Sequence, residues 1–339
     1  MEKKRINWID MAKGYGILAV FIGHMVQSSA LGLFVYSFHL PLFFFLSGYL
    51  FKADDGFGSF IKKKSRSILL PYFTLGLPVV FCDAFYPLLF SGQHFTMEHL
   101  MYELSKEFMQ FLFQCRYATL WYLAVLFGVN ILMYFICKIK STIIQIVIVI
   151  AAFTASMIYY AMGGTELPWN VDVAFPALIF FAFGYLTKGS SLFDDKITKA
   201  GHKATMLLIF LAINIIFNIL TILISGYGLE MYRCSYGIPP LTVISAFAGI
   251  LSTVVLSQMA TSRPVLYIGK NSLIFFMWHQ AVVYPLMDQL YHALGIDGYG
   301  SNPLEFLIIL FTRLILVCLI MWGLTELVRH TPLRIFVGK

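Results

Sequence analysis

Long apolar runs joined by short polar connections constrain the fold of this chain more than any single motif. Ten runs are long enough to cross the hydrocarbon core of a bilayer as α-helices, which needs about 20 apolar residues each. They cover residues 10–30, 35–52, 67–90, 118–137, 142–162, 171–187, 204–225, 239–260, 271–291 and 303–326. Long continuous runs argue against a β-barrel, whose strands show short alternating segments.

The overall composition indicates the same class of protein. Hydrophobic residues make up 59% of the 339 residues and charged residues only 12%, too few to cover the surface of a soluble domain of this size. We therefore expect an all-α polytopic membrane protein with about ten transmembrane helices. We expect residues 1–339 to form a single integral-membrane domain with no appended soluble domain.

The distribution of cations predicts the orientation of the chain. An even number of spans places both termini on one side, and the lysines and arginines concentrate in the connections of that side. Only Lys106, Arg116 and Arg233 fall in the connections of the opposite side. The positive-inside rule then predicts that both termini are cytoplasmic. The net charge of +7 reflects this topology, so we expect anionic membrane lipids, and no nucleic acid, as its counterpart.

One connection differs from the others in length and pattern. Residues 93–116 form the longest polar insertion, and their apolar residues recur with a helical period. This pattern predicts an amphipathic helix that lies at the membrane interface.

The first predicted helix carries titratable residues at membrane depth, where they are costly and usually functional. Lys13 and His24 are eleven residues apart, so they project from nearly the same helix face. The rise between them is about 16 Å, roughly half of the hydrocarbon core. Such a face suits a long anionic ligand. Asp10, three residues before Lys13, is predicted to form an ion pair with it.

A second histidine begins the next predicted helix. His39 precedes Pro41, which suits the first turn of a helix, and the hairpin brings His39 to roughly the depth of His24. Two imidazoles at one depth suit proton transfer, although a histidine in this setting can also be a hydrogen-bonded core residue. Metal binding is the competing use, but no Asp, Glu or Cys at a suitable spacing completes a ligand set, so we predict no metal.

Ser47 and Gly48 follow three phenylalanines in the same helix. Small residues in a membrane helix usually permit close packing or local unwinding, and we favour that interpretation. A serine nucleophile would need a nearby base, which the sequence does not show.

Further polar residues lie outside the first hairpin. We expect a loop before residue 67, and its cations anchor the chain to lipid phosphates. Within this loop Lys63 and Arg66, one turn apart, can also clamp phosphate groups. His279 and Arg313 lie within predicted spans. Arg313 should face the bundle interior and have a partner, and Asp83 and Glu305 are candidates that the sequence cannot rank.

Several motifs occur in a fixed order. They are IDMAKG with the following GH, FHLPLFFFLSGYLF, KKKSRSILLPYF, LWYLAVLF, LPWNVD with FFAFGYL, and YIGKNSL. Together they resemble the membrane-bound acyltransferase family 3, and within it the fucose 4-O-acetylase-like branch. The resemblance implies a ten-helix enzyme of a bacterial-type inner (plasma) membrane. Such enzymes take an acyl group, usually acetyl, from cytoplasmic acyl-CoA and place it on extracytoplasmic glycans or other acceptors.

The resemblance also implies roles for individual residues. The family's basic-x10-His motif falls on Lys13 and His24, and its Phe-Phe-x-Ser-Gly motif ends at Ser47 and Gly48. Its basic-x-x-basic motif falls on Lys63 and Arg66. Many members have arginine where this chain has Lys13 and Lys63, and lysine keeps the charge but not the bidentate geometry.

Combined with the helix-face geometry, the resemblance leads to a hypothesis for the reaction. Acetyl-CoA is the donor, the cations hold its phosphates, and Ser47 and Gly48 shape the tunnel for its arm. His24 acts as general base on a sugar hydroxyl, and His39 orients His24 or the acceptor. Direct transfer and an acetyl-histidine relay both remain open, as do acetyl and succinyl as the acyl group.

Two other classes of function stay open from the sequence. A secondary transporter or flippase for a glycan or lipid-linked precursor would also have about ten helices, although it should show internal repeats that this chain lacks. A non-catalytic component of surface-polysaccharide assembly would not need a cation and a histidine on one helix face. The expected partners are acyl-CoA, a glycan or lipid-linked sugar acceptor and membrane lipids, and a homo-oligomer remains open.

Overall fold

A computed structural model describes residues 7–53, 56–90, 96–113, 117–190, 200–300 and 302–331. The regular secondary structure of these residues is helical, and their β-structure is limited to one isolated antiparallel bridge between Glu230 and Ser235. The α-helices are α1 Asn7–Met25, α2 Ala30–Tyr36, α3 His39–Tyr49, α4 Phe57–Lys64, α5 Leu70–Phe90, α6 Met97–Phe113, α7 Trp121–Ile136, α8 Thr142–Ala161, α9 Val171–Leu186, α10 Ala200–Ser225, α11 Pro239–Met259, α12 Arg263–Lys270, α13 Ser272–Trp278, α14 Tyr284–Ala293 and α15 Pro303–His330. π-helical turns at Ser65–Leu69 and His279–Val283 join α4 to α5 and α13 to α14.

The chain forms two compact units. The first unit comprises the described residues of Met1–Asp54, Ile131–Gly164 and Asp172–Ser272. The second unit comprises those of Asp55–Asn130, Thr165–Val171 and Leu273–Lys339. The expectation of one domain over the whole chain stays a prediction.

Most of the predicted membrane helices appear as long apolar helices. Among the described residues, eight helical segments are long and apolar enough to cross a membrane. They are Ala30–Tyr49, Phe57–Phe90, Met97–Ile136, Thr142–Ala161, Pro168–Leu186, Gly201–Ser225, Pro239–Met259 and Pro303–His330. The other two predicted spans, 10–30 and 271–291, are helical but are not among the eight. The first contains the polar residues of α1 and the second is interrupted by a π turn, so the count of ten stays a prediction.

In the first unit, α1 packs against α2, α3, α11 and α12, and α10 packs against α11. Glycines allow the closest of these approaches. A side chain at Gly14 would clash with the backbone of Val265 in α12, and one at Gly269 would clash with the carbonyl group of Asp10 in α1. Small residues at these two positions therefore allow close helix packing.

In the second unit, α6 packs alongside α5. The hydroxyl group of Tyr72, near the start of α5, donates a hydrogen bond of 2.6 Å to the carbonyl of Phe111, near the end of α6. The two rings also stack, with centroids 5.0 Å apart. The predicted amphipathic helix is thus present as α6, and it packs antiparallel to α5.

The cationic connection before residue 67 is helical, so its prediction as a loop was wrong. Helix α4 begins at Phe57 and continues through the π turn Ser65–Leu69 directly into α5. Lysine is a good helix former, so three consecutive lysines do not oppose a continuous helix. The apolar pattern that marked the predicted span located the membrane segment but not the start of the helix.

Candidate functional site

Helix α1 places Lys13 and His24 on one face. The helix is unbroken between them, so the eleven-residue spacing is about three complete turns. Both side chains are half-buried, whereas most of the neighbouring residues of α1 are fully buried. The prediction that these two residues share a helix face is therefore confirmed.

The two histidines meet at one tyrosine. The ring of Tyr36, the last residue of α2, packs edge-on against His24 at a centroid distance of 6.1 Å. The same ring packs edge-on against His39 at 4.8 Å. His39 is only 1% exposed, whereas His24 is half-buried. The hairpin thus brings the two imidazoles to a common residue and leaves His24 as the more accessible of the two.

The break between α2 and α3 sets the protonation of His39. The last carbonyl groups of a helix lack partners within that helix. The carbonyl of Val35 is one of these, and it lies 2.8 Å from Nδ1 of His39. Since a carbonyl oxygen can only accept, Nδ1 must carry the proton. In the neutral ring Nε2 is then the basic nitrogen.

A buried asparagine holds this break in place. The side-chain nitrogen of Asn214, in α10, donates to the hydroxyl of Ser37 at 2.9 Å and to the carbonyl of Ser245 in α11 at 2.8 Å. Asn214 is fully buried. One turn later in α10, Asn218 donates to the carbonyl of Leu33 at 3.2 Å. Side chains of α10 therefore satisfy groups at the end of α2, immediately before His39.

Ser47 and Gly48 lie near the end of α3. A side chain at Gly48 would clash with the carbonyl oxygen of Phe181 in α9, and one at Gly184 in α9 would clash with the carbonyl oxygen of Phe45. These reciprocal contacts support the packing interpretation of Gly48. Ser47 is half-buried beside this crossing. A contribution of either residue to a donor tunnel stays a prediction.

Asp10 faces the helix packing rather than Lys13. It is 8% exposed, and among the described residues its Oδ2 atom has no hydrogen-bond partner. The described residues also contain no Asp10–Lys13 ion pair, so that prediction was wrong. Asp10 is buried where Gly269 of α12 covers its backbone, whereas Lys13 is half-buried.

Lys63 and Arg66 belong to the second unit. Lys63 is in the last turn of α4, and Arg66 is in the π turn that follows. Both side chains are exposed. π-helical turns inside longer helices are frequent at functional sites, and this one lies in the predicted phosphate clamp.

The second unit also contains His279 and Arg313. His279 is fully buried, and its Nδ1 lies 2.8 Å from the carbonyl of Phe276. Arg313 is 8% exposed and forms an ion pair of 2.7 Å with Asp288. Its guanidinium lies over the rings of Tyr291 and Tyr299, at 4.5 and 5.0 Å. The prediction that Arg313 is buried with a partner is therefore confirmed.

Burial raises the pKa of the Tyr299 phenol in spite of the adjacent Arg313 guanidinium. Tyr299 is thus neutral, and it contacts Arg313 as an aromatic ring and not as an anion. The ion pair with Asp288 and the two tyrosine rings together stabilise the buried guanidinium charge of Arg313.

No metal site is evident in the part of the chain that the structure describes. Its His, Cys, Asp and Glu residues form no group of three or more with a geometry suited to an ion.

A family model described as an acyltransferase domain (Acyl_transf_3) matches residues 6–322. The chain belongs to this acyltransferase family. The match spans nearly the whole chain and confirms the family predicted from the motifs, whereas the fucose 4-O-acetylase-like branch stays a prediction. No match is found among curated proteins, and none among solved structures.

Family membership and the apolar helices together make this chain a multi-pass membrane acyltransferase. In the acyltransferase, the first unit brings His24, Tyr36 and His39 together through α1 and the α2–α3 break, and Lys13 lies about three turns before His24 on the same face of α1. A histidine of fixed tautomer beside a more accessible histidine can accept, hold and return a proton.

Several residues of this site were not predicted from the sequence. Tyr36, Ser37 and Ser245 gave no signal, because aromatic and hydroxyl side chains are common in membrane helices. Asn214 and Asn218, in contrast, could have been identified from the sequence. Two amides at an i, i+4 spacing in an otherwise apolar run share a helix face and need partners. The partner of Arg313 is Asp288, whereas the sequence offered Asp83 and Glu305 as candidates.

Proposed function

We propose that this acyltransferase moves an acetyl group from cytoplasmic acetyl-CoA to a hydroxyl of an extracytoplasmic or lipid-linked sugar or polysaccharide. Membership of the family supplies acyl transfer as the reaction class, and the apolar helices supply the membrane setting. The observation that carries the proposal is the contact of both His24 and His39 with the ring of Tyr36. This contact lies at one end of a helix face that also bears Lys13.

His24 is the general base of the proposed reaction. Its imidazole takes the proton of the acceptor hydroxyl as the oxygen attacks the carbonyl carbon of the acetyl thioester. The carbon–oxygen bond forms, the carbon–sulfur bond breaks, and the CoA thiolate leaves with the proton that His24 returns. A base of this kind typically contributes about 10²–10⁴-fold to the rate. His24 suits this role better than His39 because it is half-buried rather than fully buried.

His39 orients the base. Because its Nδ1–H donates a hydrogen bond to the carbonyl of Val35, its Nε2 lone pair is directed away from that bond and can accept a hydrogen bond from His24 or from the acceptor. The tautomer is held by the backbone, and the backbone is held by Asn214. A base whose orientation is fixed in advance loses little energy to rearrangement when the reaction occurs.

The donor binds through cations. Lys13 meets an anionic or carbonyl group of the donor on the half-buried face of α1, with Ser47 and Gly48 shaping the path of the slender pantetheine arm. Lys63 and Arg66, both exposed in the second unit, form a separate pair for phosphate groups. Lysine acts here as a point charge, whereas arginine can form two parallel hydrogen bonds to a phosphate.

Direct transfer and a relay through acetyl-His24 make different predictions. In the relay, an imidazole nitrogen of His24 attacks the thioester, CoA leaves, and the acceptor oxygen later displaces the imidazole. Only the relay releases one equivalent of CoA, and leaves ¹⁴C-acetyl on the protein, before any acceptor is added.

The proposal is tested with the purified protein in lipid nanodiscs. Binding of ¹⁴C-acetyl-CoA and CoA release that increases on addition of sugar acceptors are the expected results. Absence of binding to acetyl-CoA and longer acyl-CoAs by a folded sample would contradict it. Substrate counterflow in proteoliposomes without CoA would then identify a transporter.

A further inference from the structure

The reaction described above has a base but no group that stabilises the carbonyl oxygen of the thioester. That oxygen gains negative charge when the acceptor attacks, and donors placed at such an oxygen usually make the largest single contribution to catalysis. Two donors beside the site are already used, since Nδ1 of His39 donates to Val35 and the hydroxyl of Ser37 donates to Phe34. Lys13 lies about three turns away along α1. The donor is therefore expected from another side chain.

The ring of Tyr36 lies beside both histidines. Its centroid is 4.8 Å from that of His39 and 6.1 Å from that of His24. A third contact comes from α1, because a Cβ atom at Gly23 would lie 3.0 Å from an edge carbon of the same ring. The phenol oxygen is bonded directly to the ring, so the contacts that fix the ring beside the imidazoles fix this oxygen as well.

The backbone at Tyr36 is held independently of the phenol. Tyr36 is the last residue of α2, and the hydroxyl of the next residue, Ser37, accepts a hydrogen bond of 2.9 Å from Asn214. Asn218 donates to the carbonyl of Leu33, one turn earlier in α2. The ring is thus in place before a ligand binds, and a donor placed in advance stabilises charge without rearrangement.

The hydroxyl of Tyr36 is not used within the described part of the protein, where it forms no hydrogen bond. By contrast, the hydroxyl of Tyr72 donates to the carbonyl of Phe111. Tyr36 is half-buried, as is His24, so a ligand that reaches the imidazole can also reach the phenol. A phenol is protonated at neutral pH and can donate one hydrogen bond.

We propose that Tyr36 is a further catalytic residue, whose hydroxyl donates a hydrogen bond to the carbonyl oxygen of the acetyl thioester. This inference rests on the proposed acetyl transfer and adds the group that stabilises its transition state. A hydroxyl bonds more strongly to an oxyanion than to a neutral carbonyl, so the contact favours the transition state over the bound thioester.

The phenol proton stays on Tyr36 throughout the reaction. As the acceptor oxygen bonds to the carbonyl carbon, an electron pair of the carbonyl double bond moves onto the carbonyl oxygen, which accepts the Tyr36 hydrogen bond. When the double bond forms again, the carbon–sulfur bond breaks, and the sulfur leaves with the electron pair and takes the proton from His24. A relay through acetyl-His24 forms the same oxyanion in each of its two steps, so Tyr36 serves both mechanisms.

Tyr36→Phe tests this role, because it removes the hydroxyl and keeps the ring with its contacts. We expect kcat for acetyl transfer to fall by about 10²–10³-fold, the loss that follows removal of one oxyanion donor. The unfolding temperature should equal that of wild type, because the substitution removes no hydrogen bond among the described residues. Tyr227→Phe, at an exposed tyrosine of the same unit, is the matched control and should act as wild type.

A binding measurement separates stabilisation of the oxyanion from a general effect on the site. S-ethyl-CoA has no carbonyl oxygen, whereas the trifluoromethyl ketone analogue of acetyl-CoA is hydrated to a tetrahedral carbon that resembles the reaction intermediate. Tyr36→Phe should bind S-ethyl-CoA as tightly as wild type does. It should bind the ketone analogue at least about tenfold more weakly, the value of one hydrogen bond.

The outcomes separate the role of Tyr36 from the proposed function. Wild-type kcat in Tyr36→Phe, or equal weakening of its binding to both analogues, would overturn the role of Tyr36 and leave the proposed acetyl transfer standing. A wild-type protein that neither binds nor hydrolyses acetyl-CoA would overturn the proposed function itself.

Discussion

Nδ1 of His39 lies 2.8 Å from the carbonyl oxygen of Val35, four residues earlier in the chain. The contact exists because the helix breaks between α2 and α3, so that the Val35 carbonyl accepts a long backbone bond of 3.3 Å from Phe38 and remains open to the imidazole. A helix that continued through residues 37 and 38 would have used the Val35 carbonyl for its own backbone. The break therefore fixes the tautomer of one histidine and, through Tyr36, places it beside the other.

Replacing His39 with asparagine distinguishes the role of its Nδ1 atom from that of its Nε2 atom. Asparagine carries an amide near the position of Nδ1 and can still donate to Val35, but it has nothing at the position of Nε2. We expect His39→Asn to fold normally, to bind acetyl-CoA normally, and to lower kcat by roughly 10²-fold through loss of orientation. Thermal unfolding and steady-state kinetics in one detergent measure both effects. Wild-type kcat in this variant would show that Nε2 has no part in the reaction.

Asn214 should contribute more to stability and to turnover than Asn218. Asn214→Leu leaves the hydroxyl of Ser37 and the carbonyl of Ser245 without their donor in a buried setting, at a cost of about 1–3 kcal/mol. Asn218→Leu is the matched control, because it removes a single longer bond to Leu33 from the same helix face. We expect a larger fall in unfolding temperature and in kcat for Asn214→Leu. Equal effects of the two substitutions would argue against a specific role for the Asn214 network.

The crossing of α3 and α9 should not tolerate a methyl group. Gly48→Ala forces the new side chain against the carbonyl of Phe181, and such overpacking typically costs about 1–3 kcal/mol. Gly323→Ala in α15 is the control, because no atom lies within 4 Å of the added carbon. There the loss of backbone freedom favours alanine by roughly 0.5–1 kcal/mol. Unfolding temperatures should shift in opposite directions, and an unchanged Gly48→Ala protein would contradict the packing described here.

The exposed cations of the second unit should act on donor binding and not on chemistry. We expect the double variant Lys63→Ala and Arg66→Ala to raise the KM for acetyl-CoA by about tenfold or more, the value of one charge-assisted bond, with kcat nearly unchanged. Lys62→Ala is the control, since Lys62 is an equally exposed neighbour outside the basic-x-x-basic pair. The difference should shrink as salt screens the charges. An identical KM in the double variant and the control would remove this pair from the donor site.

The sequence predicted those parts of the site that depend on local spacing. Lys13 and His24 share a face because one helix runs through both, and periodicity along the chain is enough to show that. The position of His39 after a break followed from the proline two residues later. The residues that hold the break did not follow, because Asn214 lies 177 residues from Ser37 in the chain. A partner so distant is set by tertiary packing and not by local pattern.

The two wrong predictions, the loop before residue 67 and the Asp10–Lys13 ion pair, also relied on local pattern alone. The lysines before residue 67 looked like a loop because charge was taken to end the membrane segment, although charge does not oppose a helix. Asp10 and Lys13 looked like an ion pair because they are three residues apart, but α12 packs over the Asp10 side of α1. Which face of a helix is covered depends on the neighbouring helices, and one sequence does not reveal them.

The most direct measurement of the central claim compares wild type with His24→Ala in nanodiscs, using acetyl-CoA binding and CoA release from the same samples. His292→Ala, at an exposed histidine paired with Asp297, controls for the loss of an imidazole. We predict equal acetyl-CoA binding by all three proteins and turnover reduced by about 10²–10⁴-fold in His24→Ala alone. Turnover by a well-folded His24→Ala protein at the wild-type rate would contradict the account.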